Sequence, residues 1–170
     1  MTLDRRRLLA LAAAAVALPA RAETPPLVLL PGAMAAPDFT LPDLAGRPHR
    51  LADYRGHPLL VSFWAVWCAP CRRELGALAD LRQRLAGSDV AVVAINLGDA
   101  HRRVVDFLAD HPAPGLPILL DSDHAVATAW HVPALPVAFA VTGDGTLRLG
   151  ALGERDWLSS AVEAQLRALR

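Results

Sequence analysis

The feature that most constrains this sequence is its single pair of cysteines, Cys68 and Cys71. Only two residues separate them, and because the stabilisation from a disulfide grows with the length of the closed loop, cross-linking them would stabilise the fold very little. The apolar stretch before them, residues 59–66 (LLVSFWAV), predicts a buried strand, and leucines at helical spacing over residues 72–85 predict a helix. The cysteines therefore lie where a strand enters a helix, which favours a chemical role over a structural one.

In this interpretation Cys68 lies at or just before the N-terminus of the helix. Free N–H groups and the positive end of the helix dipole would then point at its sulfur. Both favour the thiolate, which is the nucleophile, and Arg72 and Arg73 add positive charge nearby. Pro70 suits the first helical turn, where a missing N–H costs little. We expect Cys68 to be the exposed nucleophile and Cys71, one turn inward, to be the buried thiol that resolves a mixed disulfide.

The rest of the chain predicts an α/β protein. Residues 90–97 (VAVVAINL) predict a second buried strand, so strand, helix and strand follow one another as in a βαβ unit with two parallel strands. Gly143–Gly145 predicts the turn of an antiparallel hairpin. The other predicted elements are a short edge strand at 38–41, helices at 101–110, 123–131 and 155–169, and strands at 117–120, 137–142 and 146–150. This order predicts a central mixed β-sheet flanked by helices on both faces.

The first residues have the pattern of an export signal. Arg5–Arg7 precede an uninterrupted apolar run of 11 residues, Leu8–Leu18, and the small-x-small site Ala20–Ala22 follows. Together these predict a secretory signal cleaved after residue 22. The run is shorter than the about 20 apolar residues that cross a bilayer comfortably. A retained membrane anchor and a buried helix are the alternatives. Residues 4–9 partly resemble a twin-arginine export signal.

These patterns predict three regions: a signal peptide over 1–22, a linker or extended arm over 23–36, and one domain over 37–170. Residues 23–36 hold three prolines and one glycine and show no clean period, which is typical of a linker. Export would place the domain in the periplasm, where disulfides persist. The formal net charge is zero and no basic face is evident, so a nucleic-acid partner is not expected.

Taken together, these segments resemble the thioredoxin superfamily, and more narrowly the TlpA/ResA/DsbE-type periplasmic thiol–disulfide reductases. Residues 61–75 (VSFWAVWCAPCRREL) carry the resemblance most specifically. Residues 37–41, 51–58 and 135–139 are similar to the family's opening strand, the loop before its central strand and the segment with its cis-proline. The resemblance covers about residues 37–170 and implies a thioredoxin-like fold.

The resemblance also implies where client proteins would dock. Pro136 would be cis and lie beside the cysteines, whereas without the resemblance an ordinary trans proline would be the simpler interpretation. The cis bond would turn the Leu135 backbone towards Cys68, where it could hydrogen-bond an incoming peptide. Trp67 would form part of the exposed rim. The complete set of predicted docking residues is Trp67, Ala69, Pro70, Leu135 and Pro136.

Glu74 follows Cys71 by one helical turn, and the reductase branch uses a glutamate there to tune the cysteine pKa values. A carboxylate raises the pKa of a nearby thiol by charge repulsion, or moves protons as a general acid and base. The alternative is a solvated acid stabilised by the helix dipole, and the residues leave both open. Ser62 replaces the buried acid of thioredoxin itself, which fits the reductase branch. Gly76 and Leu135 differ from many relatives, so client specificity is not carried over.

The leading hypothesis is a protein-disulfide reductase that passes electrons from a membrane thiol donor to cysteines of exported clients. The resemblance suggests apocytochrome c or copper-centre proteins as clients. No metal and no cofactor beyond a redox-active Cys68–Cys71 disulfide are expected. A disulfide-forming oxidant is the first alternative, because direction depends on reduction potential. Others are a copper-delivery module using the same cysteines and a histidine such as His131, a zinc site, which lacks two further ligands, and a peroxidase, whose separate cysteine placement is missing.

Overall fold

The computed structural model describes residues 26–169. The predicted signal, residues 1–22, lies outside this range. The strands are β1 (Val28–Ala35), β2 (Thr40–Pro42), β3 (Pro48–Arg50), β4 (Leu59–Trp64), β5 (Ala91–Leu97), β6 (Ile118–Asp121), β7 (Val137–Val141) and β8 (Thr146–Leu152). The helices are α1 (Ala69–Arg84), α2 (His101–Asp110), α3 (Ala125–Ala129) and α4 (Ser160–Arg167), with a 3₁₀ turn at Leu51–Tyr54. No helix within this range is long and apolar enough to cross a membrane.

Six strands form one mixed sheet in the order β1-β8-β7-β4-β5-β6. β4 lies inside it, parallel to β5 on one side and antiparallel to β7 on the other. The predicted βαβ unit is therefore β4-α1-β5, and the predicted hairpin is β7-β8. Gly145, with a φ of +90°, supplies the left-handed residue that this hairpin turn requires. The predicted mixed sheet is confirmed.

β4 is buried along its whole length because both faces of the sheet are covered. Side chains alternate between the two faces of a strand, so β4 feeds two separate cores. Leu60 and Trp64 pack under α1, α2 and α4, where Trp64 lies 5.7 Å from Phe107, measured between ring centroids. Phe63 belongs to the opposite core, with its ring 5.6 Å from that of Trp130. An uninterrupted apolar run is the pattern expected of such a central strand.

Within the predicted linker or extended arm over residues 23–36, the structure has a strand, β1. β1 pairs antiparallel with β8 and forms one edge of the sheet. Its register shifts between Leu29 and Met34, and Pro31 and Gly32 lie in this bulged stretch. The shift explains the missing alternation, because an edge strand with a bulge tolerates proline and glycine that a central strand does not.

The opposite edge of the sheet is met by the β2–β3 hairpin. The turn of this hairpin is held by Asp43, whose carboxylate accepts the N–H groups of Ala45 at 2.8 Å and Arg47 at 2.9 Å. Asp43 also forms an isolated antiparallel bridge to Leu119 of β6. The outer edge of β6 is therefore partly covered by chain from the beginning of the domain.

A buried carboxylate joins β6 to α3. Asp121 is 0% exposed, and its two oxygens accept the N–H groups of Val126 at 3.2 Å and Ala127 at 2.8 Å. Two of the otherwise unpaired donors at the start of α3 are thereby satisfied. This contact also places the chain that continues through Trp130 towards Pro136.

The final helix is shorter than predicted, because residues 155–159 are not helical. α4 begins at Ser160, and the hydroxyl of Ser159 caps it by accepting the Val162 N–H at 3.4 Å. Asp156 accepts the N–H of Leu158 at 3.1 Å in a local turn. Such side-chain hydrogen bonds to the backbone compete with helix formation, whereas a hydrophobic spacing alone does not register them. Residues 153–159 are here called the β8–α4 loop.

Candidate active site

Cys68 and Cys71 form a disulfide at the junction of β4 and α1, with their Cα atoms 5.3 Å apart. Cys68 is the N-cap of α1, and its sulfur accepts the Cys71 N–H at 3.3 Å. The acceptor position that Ser or Asp oxygens usually occupy at a helix N-terminus is thus filled by sulfur. When the disulfide opens, the same N–H and the helix dipole favour the Cys68 thiolate.

The predicted contrast between an exposed Cys68 and a buried Cys71 is wrong for the disulfide form. Cys68 is 4% exposed and Cys71 is 2% exposed. Both belong to the core under α1, because the sulfur of Cys68 is bonded to that of the inward-facing Cys71. The prominent exposed side chain at this junction is Trp67, which is 63% exposed, as predicted for the rim.

The chain that carries Trp67 into the site is anchored by polar groups at the end of β5. Buried Asp99 accepts the Val66 N–H at 2.6 Å and the side-chain N–H of Asn96 at 3.0 Å. The N–H of Cys68 donates to the carbonyl of Ala65 at 3.1 Å. Asn96 and Asp99 were not among the predicted site residues. Their only signal was one polar residue near the end of a buried parallel strand and another just after it, next to the strand that leads to the cysteines.

The predicted docking residues come from two segments that the sheet brings together. The Leu135–Pro136 peptide bond is cis, as predicted. Phe63 of β4 pairs with Val137 of β7, so Pro136 lies beside the end of β4 that leads into Cys68. The accessibility of the five residues differs: Trp67 and Ala69 are exposed, Pro70 and Leu135 are half-buried, and Pro136 is buried.

Glu74 is buried on the face of α1 that packs against the core, and only 3% of it is exposed. Its carboxylate accepts the N–H of Arg155 from the β8–α4 loop. Burial raises the pKa of Glu74 from 4.5 to about 7, although the hydrogen bond from Arg155 opposes this shift. The solvated-acid alternative is therefore wrong, and Glu74 is a buried acid that exchanges its proton near neutral pH.

The β8–α4 loop covers Glu74, and it does so where a helix was predicted. Trp157 of this loop is buried in the core. The guanidinium of Arg155 turns back onto its own chain and donates to the carbonyls of Glu154 at 3.0 Å and Leu152 at 2.8 Å. Arg73 of α1 donates to the carboxylate of Glu154 through two hydrogen bonds, of 2.9 Å and 2.6 Å. Neither Glu154 nor Arg155 was among the predicted site residues.

The histidines lie mainly on the surface, the default expected from their spacing. His131 is exposed and has a positive φ of 50°. His49 is half-buried, 3.2 Å from the Tyr54 hydroxyl and 3.4 Å from an Asp43 carboxylate oxygen. Within residues 26–169, no three or more His, Cys, Asp or Glu side chains are grouped to hold a metal ion.

The raised pKa of Glu74 predicts that a Glu74→Gln variant gains stability relative to wild type as pH rises. Between pH 4.5 and 7 the folded protein binds more protons at this site than the unfolded chain, so the wild-type free energy of unfolding falls with pH. That contribution is complete below pH 4.5 and is lost above 7. Glutamine stays neutral and keeps an oxygen for the Arg155 N–H. We therefore expect the free energy of unfolding of Glu74→Gln, relative to that of wild type, to rise by about 2–3 kcal/mol across this range.

Denaturant unfolding of both oxidised proteins from pH 4 to 8 measures this difference. Asp144→Asn is the matched control, because hydrogen bonds from Thr142 and Thr146 lower the pKa of the exposed Asp144 below 3.8. That carboxylate is ionised over most of the range, and the control difference should stay nearly flat from pH 5. An equally flat difference for Glu74→Gln would contradict the raised pKa.

Fold and site together define the class: a thioredoxin-like protein with a Cys-X-X-Cys disulfide at the N-terminus of its first long helix. The chain belongs to the AhpC/TSA family, whose sequence model matches residues 33–149. A protein assigned as the thiol:disulfide interchange protein DsbE of Chlorobium tepidum has the same fold, with a TM-score of 0.74 and 29% sequence identity. The similarity covers 82% of this chain and 97% of that structure, and it confirms the thioredoxin-like fold.

Sequence relatives include proteins named thiol-disulfide oxidoreductase ResA. The protein from Geobacillus thermodenitrificans is 37% identical over 113 residues, which are 66% of this chain and 64% of the relative. The protein from Bacillus subtilis is 32% identical over 110 residues, 65% of this chain and 61% of the relative. The similarity thus spans less than two thirds of the length of these ResA proteins.

Proposed function

We propose that this protein is an exported thiol–disulfide oxidoreductase that reduces disulfides of client proteins. The observation that carries the proposal is the Cys68–Cys71 disulfide, in which the Cys68 sulfur caps the N-terminus of α1. This placement supplies what a redox dithiol needs: a thiolate stabilised by helix N–H groups and a second thiol close enough to resolve the intermediate. The activity named for the ResA relatives supports the same conclusion.

The reaction begins from the reduced dithiol. The Cys68 thiolate attacks one sulfur of the client disulfide, a Cys68–client disulfide forms, and the other client sulfur leaves as a thiolate that takes up a proton. Cys71 then loses its proton and attacks the Cys68 sulfur, which releases the second client thiol. The client has gained two electrons and two protons, and the protein is left with the Cys68–Cys71 disulfide. A donor dithiol, proposed to belong to a membrane protein, restores the reduced form by the same exchange.

Glu74 is proposed to handle the proton of the resolving step. Because the pKa of its carboxyl is about 7, both its neutral and its ionised form are populated at neutral pH. The ionised form can accept a proton when Cys71 becomes a nucleophile, and the neutral form can return it. The carboxylate charge also disfavours a thiolate one helical turn away, which would make the dithiol easier to oxidise and hence a stronger reductant.

Client docking is proposed to involve Trp67, Ala69, Pro70, Leu135 and Pro136. These residues lie on the two segments that converge on the end of β4. Trp67 offers a large, exposed aromatic surface beside Cys68. Such a side chain can cover the apolar surroundings of a client cysteine and exclude water from the exchanging sulfurs. Cytochrome c maturation and copper-centre assembly are the proposed settings, with client cysteines as the recognised groups.

Export to the periplasm is proposed from the predicted signal over residues 1–22, with a retained anchor as the one proposed membrane attachment. A location outside the cytoplasm suits the chemistry, because client disulfides form and persist there. Reduction would then require electrons from across the membrane, which is why a membrane thiol donor is part of the proposal.

The test is the reduction potential of the Cys68–Cys71 couple, measured by equilibrating the purified protein in glutathione or dithiothreitol buffers. We expect a value near or below that of thioredoxin, about −270 mV. A value near the oxidising end, about −120 mV, would mean that electrons pass from clients to this protein, which favours disulfide formation in clients. If no reversible two-electron couple is found, the redox function is wrong, and Cu(I) binding by the two thiols is the property to measure.

A further inference from the structure

The β8–α4 loop is attached to the site at three places, although it has no regular secondary structure of its own. It starts at Gly153, whose φ of +84° turns the chain away from β8 towards α1. Its attachments are the Gly153 N–H to the carbonyl of Pro136 at 2.8 Å, the Arg155 N–H to the carboxylate of Glu74, and the side chain of Glu154 to Arg73. The loop therefore connects the cis-proline segment to the acid on α1.

The ion pair between Arg73 and Glu154 ties the loop to the first turns of α1, whereas the Arg84 side chain at the far end of α1 donates to the Leu158 carbonyl at 3.1 Å. Nε of Arg73 donates to Oε1 of Glu154 at 2.9 Å, and Nη2 donates to Oε2 at 2.6 Å. Two parallel bonds between planar groups restrict the orientation of both partners, which a single contact does not. Both side chains are partly exposed, so the pair lies on the outside of the loop while Glu74 lies underneath. Arg73 and Glu74 are adjacent on α1, and Glu154 and Arg155 are adjacent on the loop.

We propose that Arg73 and Glu154 are positioning residues whose bidentate ion pair holds the β8–α4 loop closed over Glu74. With the loop closed, the Arg155 N–H stays on the Glu74 carboxylate and water is kept from the carboxyl group. The pair thereby sets how strongly Glu74 binds its proton, although neither residue touches the cysteines through the contacts described above. The catalytic consequence rests on the proposed function of Glu74 as a proton carrier, whereas the clamp itself does not.

Several charges face Glu74, and their direct effects are separable from the effect of the clamp. Arg155 and Glu154 face it from the loop, Arg73 neighbours it on α1, and the cysteines carry no charge in the disulfide form. Removing the positive charge of Arg73 would by Coulomb's law alone raise the pKa of Glu74. Opening the loop would instead hydrate the carboxyl, and because burial is the largest cause of the raised pKa, hydration lowers the pKa by more than loss of the Arg155 hydrogen bond raises it. In Arg73→Ala the Glu74 pKa should therefore rise if only the charge of Arg73 matters, and fall if the ion pair holds the loop closed.

The experiment is a carboxyl 13C NMR titration of Glu74 in the oxidised protein, without any client. We expect Arg73→Ala and Glu154→Ala each to lower the Glu74 midpoint from about 7 by about half a pH unit, a threefold weaker binding of the proton. A change of this size is what an exposed bidentate pair can contribute. Arg72→Ala is the matched control, because it removes an equal charge from the same helical turn at a residue without an ion pair in the described structure. Its midpoint should stay unchanged or rise.

Hydrogen exchange of the Arg155 amide gives a second readout, which reports the loop directly. We expect its protection to fall about threefold in Arg73→Ala and Glu154→Ala and to be unchanged in Arg72→Ala. The charge-reversed double variant Arg73→Glu with Glu154→Arg should restore both the midpoint and the protection. A raised midpoint in Arg73→Ala, or an Arg155 amide that stays fully protected in both single variants, would overturn the clamp. Because all proteins are studied oxidised, failure of this proposal is distinct from failure of the proposed reductase function.

Discussion

A Cys68→Ser variant loses its disulfide-exchange activity down to the uncatalysed background, whereas Cys71→Ser stops after one step and accumulates a mixed disulfide. The first variant has no thiolate to attack a client. The second retains the nucleophile but lacks the thiol that would release the client, so a covalent Cys68–client species persists. Reduction of insulin with dithiothreitol as the electron source measures the turnover. The trapped species is identified by non-reducing electrophoresis with mass spectrometry after the pre-reduced Cys71→Ser variant, freed of dithiothreitol, is mixed with insulin, because dithiothreitol would itself cleave the mixed disulfide.

Serine is a suitable replacement because it keeps the local structure. The sulfur of Cys68 accepts the N–H of Cys71 as the N-cap of α1, and a serine hydroxyl is a favoured acceptor at that position. A loss of activity in Cys68→Ser is therefore not a loss of the helix N-terminus, which circular dichroism can check. Wild-type turnover by Cys68→Ser, or full turnover by Cys71→Ser without a trapped intermediate, would contradict the assigned roles.

The largest loss of stability from a single polar substitution is expected at Asp121. In Asp121→Ala both acceptors for the N–H groups of Val126 and Ala127 disappear from a site with no exposure to solvent. A buried donor left without a partner costs about 1–3 kcal/mol, so two of them lower the free energy of unfolding by about 2–6 kcal/mol. Chemical denaturation of the oxidised protein measures this loss.

Asp123→Ala is the matched control, because Asp123 also accepts an N–H group at the N-terminus of α3. Asp123 is exposed and accepts a single N–H, that of Ala125 at 3.1 Å, so water can replace it. We expect its substitution to cost less than about 1 kcal/mol. Equal losses in the two variants would show that burial of the Asp121 carboxylate is not what joins β6 to α3.

The part of the site built from neighbouring residues could be predicted from the sequence. The apolar run of β4, the Cys68–Cys71 spacing and the periodic leucines of α1 act within one short stretch, so local rules are sufficient for them. The cis geometry at Pro136 was predicted from the family resemblance and not from local rules, because proline in a loop is ordinarily trans.

The environment of Glu74 could not be predicted, since it depends on a contact 81 residues away in the chain. The spacing of apolar residues over 155–169 is helical, but its beginning competes with turns formed by Asp156 and with the better N-cap Ser159. The non-helical loop that results is what buries the carboxyl group. Hydrophobic periodicity shows which face of a helix would be buried. It does not show at which residue a capping side chain makes the helix begin.

β1 was missed for a different physical reason. An edge strand needs hydrogen bonds on one side only, and its other side tolerates residues that a central strand excludes. The exposed apolar residues Val28, Leu29 and Met34 therefore gave no alternation to detect. β1 is a strand because it pairs with β8, and that pairing exists only in the assembled sheet.

The bulge in β1 also bears on how the molecule behaves at high concentration. A long, flat edge strand with apolar side chains is a template on which strands of other molecules can add. In β1 the regular register is broken between Leu29 and Met34, and Pro31 offers no N–H to an incoming strand. The opposite edge is shielded in part by the bridge from Asp43 to Leu119. Intermolecular sheet extension is thereby restricted to short stretches, which protects the protein against aggregation through its own sheet.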